Sequence, residues 1–337
     1  MSIKVEDLIK AGIIRRASDL PPLERLPSGS LSVDYVTGGG WVRGAIHLLV
    51  GSEGVGKSTL TMTAIKQMQL RDKEARALVL DLERSWFPER LRDWEIDLNR
   101  VDIARPQTLE QAYDIAFKGV ETYDAVVIDS ISAIASEVEA RASVAERQYA
   151  PGAREANAFL RRLLSTLNAS PKNPYIFILS QVRDVINMMG RTAPVGGHGI
   201  RHYCHIWLDM HLRGYVTIEV GDTKLRVGQL IALRCEKNKT AAPFHLAETV
   251  LLLHPYKHLK PPTFDLYFEA LVWGEKYGLV THKGAWYSCT LNGKEIKWQG
   301  REGIYQQPKE VIETLISALR ELMVATPSAN VPTPPHP

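Results

Sequence analysis

The fold of this chain is decided by the stretch Gly51-Ser52-Glu53-Gly54-Val55-Gly56-Lys57-Ser58-Thr59. This stretch follows the apolar run 46–50 and precedes residues 60–65, whose pattern is typical of a helix start. A strand, a G-x-x-x-x-G-K-[ST] sequence and a helix in this order form a P-loop, in which backbone N–H groups approach an anion closely. We therefore predict that all nine residues bind the phosphates of a nucleotide, with Lys57 reaching the β- and γ-phosphates and Ser58 contacting Mg²⁺.

The composition is that of an ordinary globular protein. The chain has 337 residues, 45% of them hydrophobic, and its net charge of +3 comes from 41 basic and 38 acidic residues. Because these charges nearly balance, a prediction of DNA binding must rest on local patches. The three cysteines form no C-x-x-C pair, which favours a reduced protein without structural zinc. The N-terminus has no signal-peptide pattern and no apolar run approaches about 20 residues, so we expect a cytoplasmic protein without a membrane segment.

Three further apolar runs, at residues 77–81, 125–130 and 175–181, alternate with helical patterns. This alternation predicts an α/β fold with a parallel sheet covered by helices on both faces. Three closely spaced runs then predict an antiparallel extension with a turn at Gly221-Asp222; they lie at 206–212, 215–220 and 224–235.

Polar side chains follow the predicted parallel strands at the edge where such sheets bind ligands. Asp129 comes after four apolar residues, which is the pattern of a Walker B carboxylate. Such a carboxylate holds Mg²⁺ directly or through water. The alternative is an acid that only caps the strand. Glu83 is the candidate to orient or deprotonate the attacking water, and the alternative is a surface acid. For Gln181, spacing alone leaves open whether the side chain senses the γ-phosphate.

Beyond the P-loop, several motifs occur in a fixed order. They are Ser28-Gly29-Ser30-Leu31-Ser32-Val33-Asp34, Val127-Ile128-Asp129-Ser130, Leu179-Ser180-Gln181-Val182-Arg183, Gly196-Gly197-His198-Gly199-Ile200-Arg201-His202-Tyr203, Lys237-Asn238-Lys239-Thr240-Ala241-Ala242-Pro243-Phe244 and Gly284-Ala285-Trp286-Tyr287-Ser288. Together they resemble the RecA recombinase family, in its bacterial-type or phage-borne branch, from about residue 26 to 322.

The resemblance implies a domain organisation. It predicts a RecA-like P-loop ATPase core at 26–264 with a mixed, mostly parallel central sheet, and a small α+β C-terminal domain at 265–325. A short N-terminal arm for subunit contact precedes the core at 1–25. The Pro-rich tail, 326–337, is expected to be disordered and replaces the acidic tail usual in the family.

The resemblance also implies catalytic roles for matched positions. Glu83 corresponds to the family's catalytic glutamate, and Gln181 corresponds to its γ-phosphate sensor, which couples nucleotide to DNA. Lys237 and Lys239 correspond to a lysine pair that reaches the γ-phosphate of the adjacent subunit. Without the resemblance, this pair would be interpreted as ordinary solvated lysines.

DNA binding in this family uses two loops, which correspond to residues 141–155 and 183–199. The candidate DNA-binding residues are cations, glycines and wedging or stacking side chains: Arg147, Tyr149, Arg154, Arg161, Arg183, Met188, Met189, Arg191, Gly196, Gly197 and His198. Arginines neutralise phosphates, and apolar side chains can wedge between bases. On composition alone, the second loop is equally an active-site lid, and Arg161 is equally part of a solvated face.

The base pocket departs from the family pattern. Phe87 and Arg90, with Trp86 nearby, stand where bacterial RecA has an aspartate and a tyrosine framing the adenine. Either side chain can stack on a base. We therefore assign Phe87 and Arg90 to the nucleotide site but leave the nucleotide preference open.

These observations predict a recombinase that uses ATP and Mg²⁺, forms helical filaments on single-stranded DNA and exchanges strands with homologous duplex DNA, hydrolysing ATP when DNA is bound. One alternative is a RecA-fold ring helicase or motor, which the K-N-K motif and the C-terminal unit disfavour. The other is a non-catalytic accessory DNA-binding homologue, which the intact set of Lys57, Ser58, Glu83 and Asp129 disfavours.

Overall fold

The computed structural model describes residues 4–11, 14–133, 151–184, 192–194 and 200–325. The helices in these ranges are α1 Val5–Lys10, α2 Leu31–Thr37, α3 Lys57–Arg71, α4 Pro88–Asp93, α5 Leu109–Thr122, α6 Pro151–Ala169, α7 Ile200–Tyr203, α8 Leu266–Lys276 and α9 Lys309–Ala325. The strands are β1 Arg25–Leu26, β2 Trp41–Val42, β3 Ile46–Gly51, β4 Ala77–Asp81, β5 Val101–Ala104, β6 Ala125–Asp129, β7 Tyr175–Asp184, β8 Thr192–Pro194, β9 Ile206–Val220, β10 Thr223–Asn238, β11 Leu246–Leu252, β12 Thr263–Phe264, β13 Val280–Lys283, β14 Trp286–Leu291 and β15 Lys294–Gln299.

A large sheet with the strand order β12-β11-β10-β9-β3-β7-β6-β4-β5 forms the centre of the molecule, and β8 pairs with β7. The six strands from β9 to β5 are parallel, whereas β10, β11 and β12 extend the sheet in antiparallel fashion. Strands β3, β4 and β6 are buried along their whole length, as expected for parallel strands covered on both faces. The predicted α/β class with a mixed, mostly parallel sheet is confirmed.

Successive residues of β3 belong to two different hydrophobic clusters. Leu49 packs in the cluster that contains α3, whereas Leu48 and Val50 pack in the cluster that contains α5 and α6. Because side chains alternate across a strand, helices on both faces of the sheet bury this central strand completely. The P-loop that follows β3 is therefore supported on a rigid base.

The antiparallel extension differs in detail from its prediction. Residues 206–212 and 215–220 were expected as separate strands, but they form the single strand β9, which pairs with β10. Gly214 lies within this strand, at a shift in register between Leu212 and Gly214 that absorbs the break in the sequence pattern. The turn joining β9 to β10 includes Gly221, whose φ of 60° suits glycine, as predicted.

The chain after β12 forms a smaller unit of α8, the antiparallel sheet β13-β14-β15 and α9. One stripe of α9, with Ile312, Leu315 and Leu319, is buried in the same cluster as α3. The unit is also tied to α2 by a hydrogen bond from Trp273 Nε1 to Ser32 Oγ of 2.9 Å. The domain boundaries after residues 25 and 264 stay predictions, and the tail 326–337 lies outside the described residues.

At the other end of the chain, residues 4–7, 9–11 and 14–24 are exposed, and the role of this arm in subunit contact stays a prediction. Within the part of the chain that the structure describes, no helix has the length and apolar character needed to cross a membrane.

Candidate active site

The P-loop joins the end of β3 to the first turn of α3. Gly56 precedes the helix with a φ of 101°, which favours glycine, and a Cβ on Gly51 would lie 2.6 Å from the carbonyl oxygen of Met210 on the neighbouring strand. Val55 is buried beneath the loop, whereas Ser52, Glu53 and Gly54 are exposed. The loop therefore presents its backbone and the N-terminus of a 15-residue helix to solvent, which is the arrangement that binds phosphate.

Lys57 is the first residue of α3, and its side chain folds over the loop. Its Nζ donates to the carbonyl oxygens of Gly51 and Ser52, at 2.8 Å each. Burial lowers the pKa of Lys57, and the neighbouring carboxylates of Asp129 and Glu83 oppose this shift. The ammonium group thus lies beside both candidate carboxylates of the site.

Ser58 and Asp129 form the candidate metal pair. Ser58 Oγ donates to Asp129 Oδ2 at 2.7 Å, and Asp129, at the end of β6, is only 3% exposed. Burial raises the pKa of Asp129, whereas hydrogen bonds from Trp86 and Ser58 lower it. Among the described residues no group of three or more His, Cys, Asp or Glu side chains could hold a metal. Since Mg²⁺ is commonly held by one or two protein oxygens plus substrate phosphates, this hydroxyl–carboxylate pair fits it.

Glu83 and Gln181 meet at the same edge of the sheet. Gln181 Nε2 donates to Glu83 Oε1 at 3.2 Å, and Ser130 Oγ donates to the same oxygen. The backbone N–H of Gln181 donates to Ser132 Oγ at 2.9 Å. The structure therefore brings together four predicted residues from different strand ends: Lys57, Glu83, Asp129 and Gln181.

The segment that carries Glu83 is held by residues that the sequence analysis did not assign. Asp81 Oδ1 accepts from Ser85 N at 2.8 Å, and Asp81 Oδ2 accepts from Arg105 Nε at 3.0 Å. Arg105 also donates to the carbonyl oxygen of Trp86 at 2.8 Å. Trp86 is fully buried and donates from Nε1 to Asp129 Oδ2 at 2.9 Å, so its ring does not face a base. An acid that ends a buried strand, as Asp81 does, was the one signal in the sequence for this cluster.

The two predicted base-pocket residues lie at the start of α4. Arg90 donates from Nη2 to Thr59 Oγ1 at 3.1 Å, which places its guanidinium group against the P-loop helix. Phe87 is 50% exposed, with the Arg105 guanidinium carbon 5.7 Å from its ring centroid. An exposed aromatic ring and a cation therefore border the loop, and their contact with a base stays a prediction.

Lys237 and Lys239 lie at the opposite end of the sheet from the P-loop of the same chain. Lys237 pairs with Trp207, which pairs with Leu48, and the N–H of Lys239 donates to His205 next to the start of β3. Leu48 lies three residues, about 10 Å, before the end of β3 at Gly51, and Ile46 at its start lies five residues, about 16 Å, before that end. Lys237 donates to the carbonyl oxygen of Arg201 and burial lowers its pKa, whereas Lys239 is exposed.

Most of the predicted DNA-binding residues cannot be compared with the structure. Those outside the described residues are Arg147, Tyr149, Met188, Met189, Arg191, Gly196, Gly197 and His198. Arg183 lies on β7, where its backbone pairs with Ala193 of β8. On α6, Arg154 and Arg161 are exposed, and Arg161 Nε donates to the hydroxyl of Tyr203 at 3.3 Å. The DNA contacts of these residues stay predictions.

Comparison with known proteins gives one consistent family. A family model described as the RecA N-terminal domain matches residues 6–255. Protein RecA of Chlorobaculum parvum is 30% identical over 330 residues, which cover 95% of this chain and 90% of the relative. Protein RecA of Francisella philomiragia is 30% identical over 315 residues, or 91% and 82% of the two chains. Protein RecA of Thermotoga neapolitana is 29% identical over 305 residues, or 88% and 83%. This chain belongs to the RecA family.

Proposed function

We propose that this protein is an ATP- and Mg²⁺-dependent DNA recombinase that assembles as a helical filament on single-stranded DNA and exchanges strands with homologous duplex DNA. The observation that carries the proposal is the meeting of Lys57, Glu83, Asp129 and Gln181 at one sheet edge. The chain belongs to the RecA family, and the motif resemblance implies a functional role for each of these side chains. Their convergence favours a working ATPase over an accessory homologue that has lost catalysis.

Each side chain has a distinct part in ATP hydrolysis. The P-loop amides and Lys57 bind the phosphates, and Ser58 and Asp129 hold Mg²⁺, which neutralises charge on the phosphate oxygens when bound. Glu83 is exposed and orients or deprotonates the attacking water. Its Oε1 accepts hydrogen bonds from both Gln181 and Ser130, so the position of either donor sets the orientation of this carboxylate.

Coupling to DNA follows from the position of Gln181. The chain runs from Gln181 along β7 to Asp184 and then into the predicted second DNA-binding loop. DNA that repositions this loop also moves the amide that touches Glu83 at 3.2 Å. A DNA-bound state and a free state would then differ in hydrolysis rate, and ATP bound at the subunit interface would favour the DNA-binding state.

Lys237 and Lys239 act on a neighbouring subunit in this proposal. Lys237 lies about 10 Å and Lys239 about 16 Å along β3 from their own P-loop, farther than a lysine side chain reaches. In a head-to-tail assembly the same lysines can face the P-loop of the next chain. Cations supplied in this way stabilise the charge of phosphoryl transfer only after assembly.

The experiment compares ATP hydrolysis by the wild type, Glu83→Gln and Glu89→Gln, with and without single-stranded DNA. Glu89 is a matched control because it is an exposed acid in the same segment, paired only with Arg92 at 3.5 Å among described residues. We expect DNA to stimulate the wild type and E89Q. Loss of a general base typically lowers the rate by about 10²- to 10⁴-fold, so E83Q should lose turnover yet form filaments with ATP.

Three outcomes would contradict the proposal. An E83Q rate equal to that of the wild type would remove Glu83 from the chemistry. Rings instead of helical filaments in electron micrographs would favour a RecA-fold motor. Absence of hydrolysis by the wild type with saturating single-stranded DNA would favour an accessory DNA-binding role.

A further inference from the structure

Trp86 joins two parts of the site that come from different strands. It follows β4, in the segment that carries Glu83, and its fully buried indole N–H donates to Asp129 Oδ2 at 2.9 Å. The hydroxyl of Ser58 donates to the same oxygen at 2.7 Å. Asp129 Oδ2 therefore has two donors, one from the P-loop helix and one from the Glu83 segment.

The backbone of Trp86 is also held by hydrogen bonds. Its backbone N–H donates to Asp81 at 3.3 Å, and its carbonyl oxygen accepts from Arg105 at 2.8 Å. Arg105 in turn is paired with the buried Asp81 carboxylate at 3.0 Å. The indole thus extends from a backbone that is held at both its N–H and its C=O, which limits the positions its N–H can take.

A second backbone contact brings the Glu83 segment to β6. The N–H of Leu82 donates to the carbonyl oxygen of Asp129 at 2.8 Å. Leu82 and Trp86 therefore hold the main chain and the side chain of Asp129 from the two sides of Glu83. The candidate water-activating group and the candidate metal ligand are fixed to one another.

We propose that Trp86 is a positioning residue, which orients the Asp129 carboxylate for Mg²⁺ through its indole N–H and ties the Glu83 segment to the metal site. This inference rests on the proposed function, since it assigns Trp86 a part in Mg²⁺–nucleotide binding. Outer hydrogen-bond partners of a metal ligand fix its orientation, and their removal typically lowers metal affinity by about 10- to 100-fold.

The chain offers a matched control for the packing of a buried indole. Trp41 is fully buried as well, but within the described residues its Nε1 has no hydrogen-bond partner. Trp41→Phe therefore removes packing without removing a hydrogen bond, whereas Trp86→Phe removes both. An effect confined to W86F belongs to the N–H and not to the loss of ring volume.

The test measures binding of a fluorescent ATP analogue by the wild type, W86F and W41F as Mg²⁺ is titrated, and again in excess chelator. We expect W86F to need roughly tenfold more Mg²⁺ for half-maximal binding, with an unchanged affinity in chelator. W41F should lower the melting temperature but keep the wild-type Mg²⁺ requirement. Trp86→His, which retains a ring N–H, should recover part of the wild-type response.

The outcomes separate this inference from the proposed function. If the wild type binds no nucleotide with Mg²⁺, both fail. If the wild type binds but W86F titrates like W41F, only the role of Trp86 fails. Should W86F not fold, the same question is answered by wild-type protein labelled with 5-fluorotryptophan, with the Trp86 resonance assigned by elimination through Trp→Phe variants of the other tryptophans. That resonance should shift on addition of Mg²⁺ and nucleotide, and an unmoved resonance overturns the inference.

Discussion

At the scale of single residues, the carboxyl group of Glu269 links the C-terminal unit to α2. It lies on α8 with no exposed surface, and it accepts hydrogen bonds from Ser30 Oγ at 2.6 Å, Leu31 N at 2.7 Å and Thr249 Oγ1 at 2.6 Å. Burial is the main influence and raises the pKa of Glu269 to about 7, although all three hydrogen bonds lower it. Protonation of Glu269 therefore stabilises the junction between the C-terminal unit and α2.

The expected result is a stability that depends on pH through Glu269. Because the folded-state pKa is above the ordinary value of 4.5, the stabilisation is full below about pH 4.5 and is lost as the pH rises through about 7. A shift of this size corresponds to roughly 3 kcal/mol of unfolding free energy. Glu269→Gln, which stays neutral and can donate to the two hydroxyls, should lose this dependence in urea unfolding between pH 4.5 and 8.

Other buried groups also make the free energy of unfolding depend on pH, so the comparison must be between variants. Burial lowers the pKa of His47 to about 3 and that of His205 to about 4, so both raise stability as the pH rises towards 6.5. Burial raises the pKa of Asp34, which acts in the same sense as Glu269. The contributions of these groups largely cancel in the difference in unfolding free energy between the wild type and E269Q. If the unfolding free energies of the two proteins had parallel pH profiles, the prediction would be refuted.

At the scale of elements, the N-caps of α2 and α5 differ in what their side chains contact. Ser30 accepts from Val33 N at 3.2 Å and is fully buried, where its hydroxyl also donates to Glu269. Thr108 accepts from Gln111 N at 3.2 Å but is exposed. The first cap therefore serves both the helix and the junction, whereas the second serves the helix alone.

We expect Thr108→Ala to lower the free energy of unfolding by about 1 kcal/mol, as an ordinary lost cap does. Ser30→Ala should lower it by roughly 2–3 kcal/mol, because it also removes a donor from the buried Glu269. Urea unfolding of the two variants at one pH makes the comparison. Equal losses would mean that the Ser30–Glu269 hydrogen bond adds nothing to the cap.

Sequence patterns predicted those parts of the molecule that depend on local order along the chain. Continuous apolar runs predicted β3, β4 and β6, and the acid after the last of these predicted the place of Asp129 at the sheet edge. They did not predict the orientation of Trp86, since an indole beside the P-loop suits a base pocket and a buried carboxylate equally well. The orientation of Trp86 depends on Asp81 and Arg105, which come from different strand ends and meet only in the folded chain.

Strand register likewise could not be predicted from the sequence. Gly214 interrupts the pattern of β9 and predicts a strand end, but pairing with β10 on one side carries the strand through it. The same pairing places Lys237 and Lys239 near the start of β3. Their distance from the P-loop of their own chain depends on strand pairing, so it could not be predicted from the spacing of motifs along the sequence.

At the scale of the whole molecule, the proposed function assigns complementary halves of one ATP site to the two ends of the sheet. The P-loop, Glu83 and Gln181 lie at the carboxyl end of β3, and the lysine pair lies at the other end. Under this proposal the chain completes its site against another copy in a heterologous, head-to-tail contact, which generates filaments when it does not close.

The most direct test of this account is ATP hydrolysis on single-stranded DNA by a mixture of two inactive variants. Glu83→Gln lacks the proposed water-activating carboxylate but keeps the lysines, and the double variant Lys237→Ala with Lys239→Ala has the opposite defect. In an equal random mixture about a quarter of head-to-tail interfaces combine two intact halves, so about a quarter of the wild-type rate should return. Mixing Glu83→Gln with Lys57→Ala, whose defects lie on the same side of the interface, should restore nothing. A mixture no more active than its separate components would contradict an ATP site shared between subunits.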